Sequence, residues 1–359
     1  MLSRTMPENR LPYEFWCASI QTFVRHSKLL REMGDMTVRF IVLVLAAVLS
    51  LHSVRADELL PPLTEVAVTS TLDGESQPVL YWAPEVAATK PTVLFVFLHS
   101  WSSDHKQDNS KWQKQAVENG WIYLHPNFRG VNNSLKACGS RFARQDILDA
   151  IDFAQQKFNV DRTRVYLAGV SGGGHMSMLM AGHHPERFSA VSAWVGISEL
   201  ADWHAFHVKD GVPGKYAKMI QQSFGGVPGA GDAIDAEFRD RSPVYHLPRV
   251  GDLPVDIFAG VNDGHAGSVP VRHSIMGFNA IARAHQSALV SAAEMEQLWT
   301  QRKLSDPRPT DKEADAVLGR DIKLRRTSQS SRVTIFEGGH ESIPEAAIEW
   351  LATKRRATP

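Results

Sequence analysis

Residues 165–182 read VYLAGVSGGGHMSMLMAG, and this stretch constrains the fold more than any other in the chain. The first six residues, Val165–Val170, form an apolar run with β-branched and aromatic members, as a strand buried on both faces requires. The segment beyond the glycines is rich in Ala, Leu and Met and reads as a helix. Between the two, Ser171 stands among Gly169, Gly172, Gly173 and Gly174. A strand that turns sharply into a helix strains the backbone at the apex and presses neighbouring backbones together. Side chains at positions 169 and 173 would clash there, hence Gly-x-Ser-x-Gly. Such a turn lifts the serine hydroxyl clear of the sheet and aims the N–H of Gly172 at a bound carbonyl oxygen. A phosphate-binding loop would end in Lys-Ser/Thr, whereas this one continues as His175-Met176.

The rest of the chain alternates. Strands are expected over 92–99, 121–126, 164–170, 189–197, 254–260 and 332–338, and helices over 110–118, 145–158 and 343–352. Within 145–158, Ile147, Ala150, Ile151, Ala154 and Phe158 recur at helical spacing and give one apolar face. This alternation predicts an α/β fold, a mostly parallel sheet with helices on both faces. Residues 57–90, including PVLYWAP, supply short antiparallel edge strands. Two segments interrupt the pattern. Residues 201–249 contain GVPGKY and GGVPGAGD and are expected to be irregular and to lie over the strand ends. Residues 291–331 are charged and polar and are expected to be a solvated surface excursion.

A serine hydroxyl needs a base, and the base needs an orienting carboxylate. Ligands of open α/β sheets sit at the carboxyl ends of strands, and the partners should follow in the order Ser, acid, His. Asp263, in FAGVNDGHAGSVP, lies just past the 254–260 strand; Asp252 precedes that strand and Asp256 lies inside it. His340, in IFEGGHESIP, lies just past the last strand. A second oxyanion donor should come from HSWSSDH after the first parallel strand, where the N–H of Trp101 is the choice and Ser100 the competitor. His99 is read as support for that loop. His175, His265 and His273 flank the site without following the last strand, and His183-His184 reads as a helix end. Cys138, in KACGS, reads as a buried structural thiol. No His-Glu-x-x-His occurs, so neither metal nor cofactor is expected.

The 359 residues carry 39 Lys+Arg against 39 Asp+Glu. This balance gives no electrostatic reason to expect nucleic acid or an anionic membrane as partner. At the N-terminus, Met36 and Arg39 precede an apolar run from Phe40 to Leu51, and Val54-Arg55-Ala56 offers small residues at −3 and −1 for cleavage before Asp57. This is the layout of a secretory signal, residues 36–56. The run falls short of the ~20 residues of a membrane span, so no stable membrane anchor is expected. Residues 1–35 read as a leader that results from a mis-called start, which leaves 57–359 as a single catalytic domain of a secreted or periplasmic protein. Cys17 is lost with that leader, and Cys138 alone cannot form an internal disulfide.

PNFRG (126–130), RQDILDAIDFA (144–154), YLAGVSGGGHM, RSP (241–243), GVNDGHAGSVP and VTIFEGGHESIPEAAIEWL together resemble the prolyl oligopeptidase-type members of the α/β-hydrolase superfamily, over roughly Pro91 to Leu351. The resemblance implies an α/β-hydrolase fold with a small cap insertion, a nucleophile at Ser171, an acid at Asp263 and a base at His340. It also matches Arg129 to a structural arginine. Three features depart from the family. The stretch from 57 to Pro91 is too short for the family's substrate-filtering propeller, the loop offers His99-Ser100-Trp101 in place of a tyrosine donor, and 291–331 has no evident counterpart. The expectation is a serine hydrolase acting through an acyl-enzyme on a carboxylic ester or a peptide bond, esters ahead. Substrates would be a small molecule, a carbohydrate ester or a short peptide. Trp101, Trp194, Trp203 and His204 are candidates for an aromatic platform at the rim, although Trp194, inside a strand, fits the core better. The rival is a catalytically inactive binding protein on the same fold, against which the three filled triad positions argue. If the signal is cleaved as read, N-terminal sequencing of the exported protein from its native host should give Asp57 or a residue close to it; intact Met1 in that fraction would contradict the reading.

Overall fold

The computed structural model describes residues 60–357; the leader, the signal segment and the cleavage site at Asp57 lie outside the described residues. The strands are, in chain order, β1 (Thr64–Thr69), β2 (Ser76–Trp82), β3 (Thr92–Leu98), β4 (Ile122–Pro126), β5 (Val160–Val170), β6 (Ala190–Trp194), β7 (Val208–Lys209), β8 (Val212–Pro213), β9 (Val255–Gly260), β10 (Ile322–Ser328) and β11 (Ser331–Phe336). Nine of them form one sheet in the order β1-β2-β4-β3-β5-β6-β9-β11-β10, and β7 and β8 make a separate two-stranded ribbon. From β4 to β11 the pairing is parallel throughout. The antiparallel pairs are β1 with β2, β2 with β4 and β10 with β11. Every residue of β3, β6 and β9 is buried, as their mostly apolar sequences predict, Ser192 in β6 and Asp256 in β9 included.

Helices Ser110–Glu118, Arg141–Lys157 and Gly172–His183 make the crossovers that parallel pairing needs. The second starts at Ser140, whose hydroxyl accepts the N–H of Ala143. The third is buried from Gly172 to Gly182, which explains why its sequence is apolar on every side. Because β5, β6, β9 and β11 are parallel neighbours, their carboxyl ends share one edge of the sheet. Ser171, Asp263 and His340 each follow one of these strands.

Both interrupting segments depart from expectation. Residues 201–249 lie within a cap of three helices, Leu200–Phe206, Lys215–Phe224 and Asp232–Arg241, not an irregular stretch. The glycines that suggested irregularity sit at the helix boundaries: Gly214 and Gly231 precede helices, and Gly225 ends one at φ +70°. The cap has its own apolar cluster, in which Leu200, Trp203, Ile220, Phe224 and Phe238 pack with Trp101 and Cys138. Burial pushes the Cys138 thiol up to about 12, so it is an inert packing group.

Residues 291–331 are largely exposed as far as 321, as a surface excursion should be, but their last part joins the sheet. They hold the helix Ala292–Gln301, started by a Ser291/Glu294 capping box, and β10, which covers the β11 edge of the sheet. Three of their charges turn inward and pair, while most of the others stay exposed. Arg326 bonds Asp311 and Glu294, while Arg325 Nη2 reaches Asp315 Oδ2 at 2.8 Å and its backbone N–H donates to Asp311 Oδ1 at 2.7 Å. Asp311, Arg325 and Arg326 are all buried.

A second pair, of a buried acid and a half-buried arginine, ties the last two parallel strands together. Asp256 in β9 is fully buried and faces Arg332 in β11, with Nε–Oδ1 at 3.0 Å and Nη2–Oδ2 at 2.5 Å. Burial raises the Asp256 pKa and the guanidinium opposes that rise. Arg332→Met should therefore cost ~3–5 kcal/mol, because it strands a buried carboxylate. With the guanidinium gone, the folded-state pKa rises further above the unfolded value. The deficit against the native chain should then be constant at low pH and widen as pH climbs above the native chain's own raised Asp256 pKa. Urea unfolding of both proteins at several pH values checks this; a deficit independent of pH would contradict it.

Candidate active site

Ser171 sits at φ +60°, ψ −114°, a conformation that costs a non-glycine residue ~1–3 kcal/mol and must be held by its surroundings. Its N–H donates to Trp194 O at 2.8 Å, and its carbonyl accepts the N–H of His175 at 2.8 Å. The glycines around it are spaces where backbones meet. A Cβ on Gly169 would lie 2.3 Å from Gly173 O, and one on Gly173 would lie 2.2 Å from Leu98 O. A Cβ on Gly172 would lie 2.3 Å from the backbone nitrogen of Trp101. The residue after the serine and the loop after β3 are thus in backbone contact. The Ser100 N–H donates to Gln107 Oε1 at 2.8 Å, whereas no acceptor among the described residues takes the Trp101 N–H. The Trp101 carbonyl accepts from the Asn132 N–H at 3.0 Å, and Asn132 Oδ1 accepts the Cys138 N–H at 2.7 Å, so the loop is pinned from behind.

Asp263 is fully buried in the turn after β9. Its Oδ1 accepts the N–H groups of Gly264 at 2.9 Å and Val269 at 3.1 Å, and its Oδ2 lies 2.7 Å from His340 Nδ1. The two loops are pressed together. A Cβ on Gly260 would stand 2.2 Å from Gly339 O, and one on Gly267 would stand 2.2 Å from Asp263 Oδ1 and 2.8 Å from His340 Cβ. With a carboxylate on Nδ1, the imidazole carries its proton there and leaves Nε2 free to accept another. His340 keeps 24% of its side chain exposed, against none for Asp263, so one end of the pair is dry and the other reaches solvent.

The competing groups have other partners. Asp256 is bound to Arg332, and Asp252 lies at the opposite end of β9. His99 is buried, stacks on Phe128 at 3.8 Å, directs Nδ1 at Ser100 O at 3.0 Å and is held by burial down at about 4. His175, His183 and His246 direct Nε2 at the carbonyls of Arg241, Asp240 and Arg239 at 2.8, 3.1 and 3.1 Å. They cap the last three carbonyls of the third cap helix. His183, Asp240 and His246 bring ligating atoms within 4.8 Å of one another. Both imidazoles already face carbonyls, however, and Arg144 Nη1 lies 2.9 Å from Asp240 Oδ2, so the group is a helix cap.

The aromatic platform is corrected. Trp101 and Trp203 are 2% and 1% exposed and meet edge to face at 4.6 Å in the core beneath the cap, and His204 is buried. Trp194 stacks on Phe258 at 4.0 Å inside the sheet core, as its strand position suggested. Gln107 and Gly267, which shape the two loops, were not singled out in the sequence: no motif marks Gln107, and a glycine within GVNDGHAGSVP does not by itself show which groups close onto it. Gly267 alone had a signal, as a glycine four residues after the acid.

A model of the prolyl oligopeptidase family matches residues 108–297, which include Ser171 and Asp263. Feruloyl esterase B of Neurospora crassa is 30% identical over 131 residues, covering 33% of this chain and 43% of that protein. Acylamino-acid-releasing enzyme 1 of Oryza sativa subsp. japonica is 26% identical over 196 residues, covering 49% of this chain and 24% of its own. The chain thus spans less than half the length of either relative. Among solved structures, oligopeptidase B from Leishmania major superposes with a TM-score of 0.54 at 11% identity, covering 81% of this chain and 35% of that one. Pyrococcus horikoshii acylaminoacyl peptidase gives 0.50 at 18% identity, over 64% and 36%. These two likenesses are of fold. The chain belongs to the prolyl oligopeptidase family and is a serine hydrolase of the α/β-hydrolase fold.

Proposed function

We propose that this enzyme is exported and hydrolyses carboxylic esters through an acyl-enzyme on Ser171. His340 acts as general base and then general acid, and Asp263 orients the imidazole and stabilises its charged form. The observation that carries this reading is the 2.7 Å contact between His340 Nδ1 and a fully buried Asp263, at the sheet edge where Ser171 stands on its strained turn. In the reaction, His340 Nε2 removes the Ser171 proton as Oγ attacks the carbonyl carbon. The oxyanion that forms is met by the N–H groups of Gly172 and Trp101, the second of which has no other partner among the described residues. Collapse expels the alcohol, which takes its proton from His340. Water then repeats the cycle on the acyl-enzyme and releases the acid.

Identity does not separate the two classes, since a dipeptidyl-peptidase 5 of Porphyromonas endodontalis is also 30% identical. Ester over peptide is favoured by size, because the match covers 43% of the feruloyl esterase but 24% of the acylamino-acid-releasing enzyme and 20% of the dipeptidyl-peptidase. A panel of p-nitrophenyl esters, methyl ferulate, N-acetyl-amino-acid anilides and Xaa-Pro anilides tests this. Higher kcat/KM on the esters is expected, and faster turnover of an anilide would reverse the assignment. Ser171→Ala should leave only the ~10³–10⁴ over water that binding and the oxyanion donors retain. His340→Ala should be nearly as damaging, and the double variant should be no worse than either, because the two groups act as one unit. Asp263→Asn should keep the fold while kcat falls ~10⁴-fold through the wrong imidazole tautomer. Near-native kcat for Ser171→Ala or His340→Ala would refute the triad.

A further inference from the structure

The carboxylate of Asp263 is aimed from behind by a peptide bond, not by a side chain. The unit joining Ser268 to Val269 donates its N–H to Asp263 Oδ1 at 3.1 Å. The carbonyl of that same unit accepts two hydrogen bonds from the cap, from Trp203 Nε1–H at 2.7 Å and from His207 Nε2 at 2.9 Å. A trans peptide is planar, with its C=O and N–H pointing in opposite directions, so a grip on the oxygen fixes the direction of the N–H. Polarising the carbonyl also strengthens the N–H as a donor. Both gripping residues lie outside the sheet, on the cap helix Leu200–Phe206 and at its end. Trp203 is wedged between Trp101 at 4.6 Å and Tyr216 at 5.1 Å, and His207 stands edge-on to it at 5.0 Å. On the other side, the absence of a side chain at Gly267 lets the loop close onto Asp263 and His340.

We propose that Trp203 and His207 are positioning residues for the hydrolysis, which through the Ser268–Val269 peptide plane aim the Asp263 carboxylate at His340. The proposal rests on the triad reading above. It makes the cap part of the acid–base machinery: displacing the helix Leu200–Phe206 rotates the plane and misdirects the base.

Trp203→Phe keeps an aromatic ring against Trp101 and Tyr216 and removes only the N–H; His207→Leu removes the other donor. With a p-nitrophenyl ester, each should lower kcat ~10-fold, the scale of a small misplacement transmitted to the chemistry. KM should stay within about twofold, because the ground-state contacts are untouched. In an Asp263→Asn background the same substitutions should leave kcat where Asp263→Asn put it, since no carboxylate remains to be aimed. A merely structural contribution would lower the melting temperature and the active fraction equally in both backgrounds. Native kcat in both folded single variants, or equal losses in the two backgrounds, would overturn the proposal. If Trp203→Phe fails to fold, His207→Leu carries the same comparison. If Asp263→Asn itself has native kcat, the acid assignment falls and takes this role with it. If Asp263→Asn is impaired and the cap variants are silent, only the positioning role falls.

Discussion

The site depends on one close approach, the contact of bare backbone at the end of β5. The helix Gly172–His183 runs so near the sheet that Gly173 lies against the Leu98 carbonyl and Gly172 against the Trp101 amide. Any side chain there would push the helix outward and part Gly172 from the loop that carries Trp101. The strain at Ser171 is the counterpart of this approach, since a relaxed backbone would carry its hydroxyl away from the sheet edge. The all-buried helix and the all-buried strands β3 and β6 supply the packing that holds the strained residue in place.

From that contact the rest follows by topology. A parallel sheet delivers all its carboxyl ends to one edge, so groups far apart in sequence converge without a special motif. Asp263 and His340 are 77 residues apart and meet because β9 and β11 are adjacent parallel strands. The loops that carry them interlock through Gly260 and Gly339, another pair of positions where backbone lies against backbone.

Much of this was legible in the sequence. β3 was readable because burial on both faces leaves an unbroken apolar run, and the other parallel strands because apolar residues dominate them. Ser171, Asp263 and His340 were singled out because each lies just past such a strand. What escaped has a common cause: pairing that is invisible in one dimension. Arg325 and Arg326 read as solvent-facing charges, yet each is buried against acids in other segments. Trp101 and Trp203 read as rim residues because they lie in or near segments expected over the strand ends, yet they close the core between cap and sheet. The cap helices were hidden by glycines that mark their ends. His175 read as a flanking group and His183 as a helix end, and neither their shared partner nor His246 was visible: the three imidazoles face three carbonyls of one helix end.

The cap therefore joins the sheet at two places beside the candidate site, by Trp101 in the loop after β3 and by Ser268 near Asp263. The central claim is that Ser171 is the one activated hydroxyl of the chain. Its most direct test is covalent labelling with a fluorophosphonate, followed by peptide mass spectrometry of the modified protein. The account predicts a single adduct, on the peptide that contains Ser171, with labelling greatly slowed in His340→Ala. An adduct on another serine, or labelling of the folded protein that persists unchanged in Ser171→Ala, would contradict it.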